Sequence, residues 1–110
     1  MDNRSFHFII YLIFVFMKQQ IGTICAELIS VSKPERVRGN VYRRLIFKNM
    51  SGDDRKEYQL YVIDGYSQSK KFLRLQPGVK LKGVKVYSEK GKYYVDIHSD
   101  IQEIKARPLF

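Results

Sequence analysis

The chain reads as an all-β domain, five strands curled into a small barrel with one short helix between the third and fourth. Three observations predict this. Apolar and polar residues alternate with period two along residues 21–31, 41–49, 57–63 and 79–98. Stretches rich in Gly, Pro and Asp separate these runs. Only one segment, residues 66–75, has a helical pattern, and 110 residues provide one domain with one modest core.

The first seventeen residues stand apart. Phe6 to Met17 is an apolar run of twelve residues, short of the roughly 20 that a spanning helix needs. Three readings compete: a signal peptide with Arg4 in its basic region and cleavage after Ala26, a short membrane-associated or core segment, and a mis-assigned start with translation beginning at Met17. The expected division is therefore residues 1–17 as an apolar leader or mis-assigned start, and residues 18–110 as the single domain. The leader holds one acid, Asp2, and one base, Arg4, so the net charge of +9 does not depend on it. His7 lies within it and carries no signal.

The elements follow in order. In residues 21–31, Ile24, Ala26 and Leu28 share one face and predict a long first strand. Residues 32–40 read as a connection, because Pro34 and Gly39 oppose a regular strand interior. In residues 41–49, Leu45 and Phe47 face inward, with Tyr42, Arg44, Ile46 and Lys48 on the other side. Residues 50–55 have turn chemistry; Asp53 and Asp54 there lack any nearby His, Cys or third acid, so they read as turn residues. In residues 57–63, Tyr58, Leu60 and Val62 share one face, and Gln59, Tyr61 and Ile63 the other.

Residues 66–75 are the helical candidate, with Ser67 or Ser69 as cap and Phe72, Leu73 and Leu75 as its apolar side. Gln76-Pro77-Gly78 stops it. So short a helix must pack across an open end of the sheet. A hairpin follows, turning at Ser88-Glu89-Lys90-Gly91. In its first strand Val79 and Leu81 are out of phase with Val84 and Val86, and a bulge at Gly83 resolves the slip. Lys80, Lys82, Lys85 and Tyr87 then lie away from the core. In its second strand, residues 92–98, Tyr93, Val95 and Ile97 share one face, with Tyr93 read as core, and Tyr94, Asp96 and His98 share the other, with His98 read as a surface residue. Residues 100–105 add a short tail, and Pro108 ends the ordered chain.

Composition narrows the function classes. A net charge of +9 points to nucleic acid or an anionic surface, set against a merely solvated basic exterior. Eight Tyr and no Trp favour rings that both pack and present a polar tip. Cys25 is the only cysteine, so an internal disulfide and a zinc set are excluded. The chain has no Gly-rich phosphate loop, no G-x-S-x-G, no H-E-x-x-H and no Cys/His pairing. A non-enzymatic protein without cofactor or metal is expected.

The order strand, strand, strand, short helix, strand, strand resembles the OB-fold over residues 20–105. The segment Leu75-Gln76-Pro77-Gly78-Val79-Lys80-Leu81-Lys82-Gly83-Val84-Lys85-Val86 resembles the lead into the fourth strand of nucleic-acid-binding OB domains, including those similar to replication protein A. The resemblance implies a ligand face on strands two and three, flanked by two loops. Its positions here are Tyr42, Arg44, Ile46, Gln59 and Tyr61. The first loop contributes Lys33, Arg36 and Arg38; the second hairpin contributes Tyr87, Lys90, Lys92 and Tyr94, with Lys82 and Lys85 on the strand before it. Cations meet phosphates and rings stack on splayed bases. The tyrosines can equally serve as cross-strand cover for an exposed sheet face.

Three functions follow as expectations. The first is a cytoplasmic module for single-stranded DNA or RNA, working with replication or recombination proteins. The second is an exported, periplasmic OB-fold barrel, if the leader is a signal peptide. The third is a protein–protein adaptor on the same scaffold, since a fold does not choose its function. A membrane partner enters only if residues 1–17 are retained.

Overall fold

The computed structural model describes residues 18–51 and 56–105. The leader, the Asp53–Asp54 pair and Pro108 lie outside the described residues. The elements are β1 (Gln19–Val31), β2 (Glu35–Val37), β3 (Asn40–Asn49), β4 (Glu57–Ile63), a 3-10 turn (Ser67–Ser69), α1 (Lys70–Leu73), β5 (Lys80–Glu89), β6 (Lys92–Val95) and β7 (Gln102–Glu103).

Five of these strands close a barrel of OB type, with the short helix between its third and fourth strands. The pairing path is β1-β3-β4-β6-β5, and β5 pairs back onto β1. All pairs are antiparallel except β4 with β6, which meet in parallel at Gln59 and Tyr94. β1 serves two partners. Its first part lies along β5, from Gln19 opposite Ser88 to Glu27 opposite Lys80. Its second part lies along β3, from Ala26 opposite Asn49 to Val31 opposite Leu45. A thirteen-residue strand is long enough to coil through both.

Alternation along each strand sorts the residues into core and exterior as expected. Ala26, Leu28, Leu45, Phe47, Tyr58, Leu60, Val62, Leu81, Val84, Val86 and Val95 are buried. Ile24, Val79, Tyr93 and Ile97 pack against them. Tyr93 meets Tyr58 edge to face at 5.7 Å between ring centroids. Phe72 of α1 closes one end of the barrel and meets Phe47 edge to face at 6.3 Å.

The slip in the fourth barrel strand is a bulge at Lys82-Gly83. Ile24 pairs with Val84 and Ala26 with Leu81, so two residues of β5 oppose one of β1. Gly83 has φ +77°, and a Cβ there would collide with the backbone oxygen of Asp100. The bulge thus keeps Leu81, Val84 and Val86 all inward.

Three local expectations are corrected. Residues 32–40 are not all connection, because β2 pairs with the start of β3. Gly39 makes the turn between them rather than opposing a strand, with Arg38 at φ 51° and Gly39 at φ 83°. Positive φ at both central residues is the two-residue turn matched to the twist of a hairpin. Ser69 does stand at the N-cap position of α1, but its side chain makes no capping hydrogen bond. Ser69 is buried, and its Oγ accepts the N–H of Ile63 at 3.2 Å, tying the 3-10 turn back to β4. The last strand of the second hairpin ends at Val95, not His98. There Asp96 Oδ1 accepts the His98 N–H at 2.9 Å, and buried Ser99 takes up the Lys85 N–H at 2.9 Å, which substitutes for ladder pairing.

Among the described residues no helix is long and apolar enough to cross a membrane.

Candidate nucleic-acid interface

The outer face of β3, β4, β6 and β5 carries most of the side chains proposed for the site. Register sets them in rows. Ile46 lies opposite Gln59, Gln59 opposite Tyr94, Tyr94 opposite Tyr87, and Tyr87 opposite Gln20. One step along, Arg44 lies opposite Tyr61, and next to it Tyr42 lies opposite Ile63.

The rings are accessible. Tyr61 is 51 % exposed, and Tyr42, Tyr87 and Tyr94 are partly exposed. Tyr87 and Tyr94 stack at 5.3 Å with 22° between planes. Lys18 Nζ sits 4.0 Å above the Tyr87 ring, a cation–π contact. The Tyr61 hydroxyl donates to Gln59 Oε1 across a long 3.5 Å.

Of the concavities on this face, two share Tyr61 as a wall. The first, of about 380 Å³, sits at the foot of the β2–β3 hairpin between Glu35, Val37, Tyr42, Arg44 and Tyr61. The second, of about 270 Å³, follows the seam where β4 and β6 diverge after their one bridge. Gln59, Tyr61, Tyr87, Tyr94, Asp96 and His98 line it. The hairpin is held to the barrel at Ser32, whose N–H reaches the Arg44 carbonyl at 2.9 Å and whose Oγ accepts the Arg44 N–H at 2.7 Å.

The tips of both hairpins carry cations in an uncommon conformation. Arg38 has φ 51° and Lys90 φ 52°, each followed by a glycine of positive φ. Side chains with a Cβ pay roughly 1–2 kcal/mol for the left-handed region. Lys92 lies opposite Glu89 at the base of the second tip.

The proposed cations do not all converge. Arg36 pairs with Val41, while its neighbour Glu35 pairs with Tyr42, so alternation turns Arg36 to the opposite face. Lys82 lies in the bulge itself, beside Gln102 of β7, five residues from Tyr87 and roughly 16 Å along the strand. Lys85 stays on the ring face, two residues before Tyr87. Lys33 is exposed ahead of the hairpin.

The face is mixed in sign. Glu35, Glu57, Glu89 and Asp96 share it with Lys18, Arg44, Lys85 and Lys92. Burial pushes the Tyr87 phenol above its ordinary value, and Glu89, Asp96 and Tyr94 act in the same direction. Arg43 lines the first concavity from the core-facing side of β3, and its Nε is buried without a hydrogen-bond partner.

Sequence reasoning missed Lys18, Glu35 and Val37. The two-residue Arg38-Gly39 turn was the available signal for the last two, since it converts the stretch into a hairpin and assigns its faces. Lys18 required the register of β1 on β5.

Among the described residues no group of three His, Cys, Asp or Glu side chains is placed to hold a metal. Comparison with protein-family models, with curated proteins and with solved structures finds no match for this chain.

Proposed function

We infer that this protein holds an unpaired nucleic-acid strand, DNA or RNA, across the outer face of β3, β4, β6 and β5, and that it catalyses no reaction there. The observation that carries this reading is Tyr61, a half-exposed ring that forms the shared wall of two adjoining concavities. Tyr42 lies on one side of it and the Tyr87–Tyr94 stack on the other. A strand crossing this face meets flat rings at successive steps, and single-strand binding relies on such platforms. Arg38 and Lys90 at the hairpin tips, with Arg44, Lys85 and Lys92 between them, supply the phosphate contacts. Because the face also carries acids, the rings and not a continuous basic groove support the reading.

A cytoplasmic setting, with replication or recombination proteins as neighbours, accompanies it. The export reading, with cleavage after Ala26, would remove the stretch of β1 that closes the barrel against β5. Mass spectrometry of the natural N-terminus distinguishes these: a first residue at Met17 fits the cytoplasm, and one at Glu27 does not.

The direct test is fluorescence anisotropy with a labelled oligo(dT) or oligo(rU) over a salt series. Affinity should fall steeply as salt rises, because cations released from phosphates drive the association. Tyr61→Ala should weaken binding by about tenfold, since a stacked base is worth roughly 1–3 kcal/mol. Absence of binding at low salt, or an unchanged affinity for Tyr61→Ala, would overturn the reading.

A further inference from the structure

We propose that the concavity at the foot of the β2–β3 hairpin selects guanine among the bases of the bound strand. The inference rests on the nucleic-acid reading above and adds a base identity to one of its positions.

An acid on the ring face needs a reason. A carboxylate repels phosphates, yet Glu35 lies opposite Tyr42 on the side of the hairpin that lines this concavity. Arg44 lies diagonally from it, two residues on from Tyr42 along β3. Diagonal positions on paired strands are about 7–8 Å apart, within reach of both long side chains. No ion pair or side-chain hydrogen bond joins either of them to another described residue. Both side chains are exposed, so an acid and a base face one cavity without a protein partner. Tyr42 and Tyr61 add ring faces, and Val37, 48 % exposed, adds an apolar one.

Guanine alone answers this set. Its Watson–Crick edge places two adjacent donors, N1–H and N2–H, side by side, which matches the two oxygens of a carboxylate. Its other edge places two adjacent acceptors, O6 and N7, which match an arginine fork. Adenine and cytosine offer an amino group beside a ring acceptor that repels the second carboxylate oxygen. Thymine and uracil flank their single N–H with two carbonyls. About 380 Å³ is ample for a purine. Ser32 fixes the hairpin at Arg44, so the acid and the base are held on a common frame.

The experiment compares oligo(dT) with the same oligonucleotide carrying one central guanine, adenine, cytosine, inosine or 7-deazaguanine, by anisotropy. The guanine probe should bind about tenfold tighter than plain oligo(dT). Inosine, which lacks the exocyclic amine facing Glu35, and 7-deazaguanine, which lacks the N7 acceptor facing Arg44, should each lose most of that advantage. Glu35→Ala should raise affinity for plain oligo(dT), because a repulsive charge is gone, and at the same time erase the preference for guanine. Loss of a merely structural side chain would not move the two readouts in opposite directions. Equal affinity for all the substituted probes, or a guanine advantage that survives Glu35→Ala, would overturn the proposal while plain oligo(dT) still binds. A protein that binds none of the probes overturns the underlying nucleic-acid reading instead.

Discussion

Arg38 and Lys90 each occupy a position where asparagine or glycine is the unstrained choice. Strained residues that persist point to a role for the side chain rather than for the backbone. Arg38→Asn should therefore stabilise the protein by about 1 kcal/mol in chemical denaturation, while weakening oligonucleotide binding through loss of one phosphate contact. An unchanged or lower stability would remove the strain argument. Tyr87 provides a second check at this scale. Its phenol ionises above the ordinary tyrosine value of about 10, chiefly because it is partly buried and then because Glu89 and Asp96 lie near. A raised value means the folded state holds this proton more tightly than the unfolded one. The stability it contributes is complete below about pH 10 and is lost as pH rises through the folded value. Ultraviolet difference titration should show a late tyrosinate component that disappears in Tyr87→Phe; a titration unchanged by that substitution would refute the assignment.

At the scale of elements, the strands were legible and the interruptions less so. Period-two alternation placed Leu45 and Phe47 inside and set Tyr58, Leu60 and Val62 on one common face, which is the buried one, because a strand that buries one face has no other way to write its pattern. The phase break between Leu81 and Val84 was equally legible, since only an extra residue reconciles it with a single inner face. Gly83→Ala tests that bulge. It imposes a side chain at φ +77° and drives a Cβ into the Asp100 backbone oxygen, so a loss of about 2 kcal/mol or more is expected. A loss under half of that would mean the β5–β7 approach relaxes easily. The β2 strand was hidden for a physical reason. Its three residues are too few to show alternation, and its turn uses Arg-Gly where Asn-Gly would have announced a hairpin. The end of β6 was hidden because Asp96, Ile97 and His98 keep the alternation while side-chain bonds from Asp96 and Ser99 turn the backbone away.

For the whole molecule, the element order carried the topology. Three strands, a short helix and a hairpin leave the third barrel strand to meet the fifth, and the barrel closes through β1. The candidate site was only half legible. Sequence gives the face of a strand but not the partner of a face, so Tyr42, Arg44, Gln59, Tyr61, Tyr87 and Tyr94 gathered as expected. Arg36 and Lys82 did not, one turned by the β2 register and the other set apart by the bulge. Asp96 was legible on the face of Tyr94, but Glu35 and Glu89 came beside the rings only once the strands were paired.

The weakest join in the wall lies under the most interesting part of its surface. β4 and β6 touch at a single bridge, Gln59 to Tyr94, and the row of rings passes over that bridge. Backbone amides on either side of the seam should exchange with solvent sooner than those of β1 and β3. A polynucleotide lying across it would act as a staple, fastening two staves that the protein itself barely ties. Saturation at a hundredfold excess over the dissociation constant should then add about 2.7 kcal/mol to the unfolding free energy, visible as a higher melting temperature and slowed exchange along that seam. A rise in melting temperature with no change in exchange at the seam would place the bound strand elsewhere on the barrel.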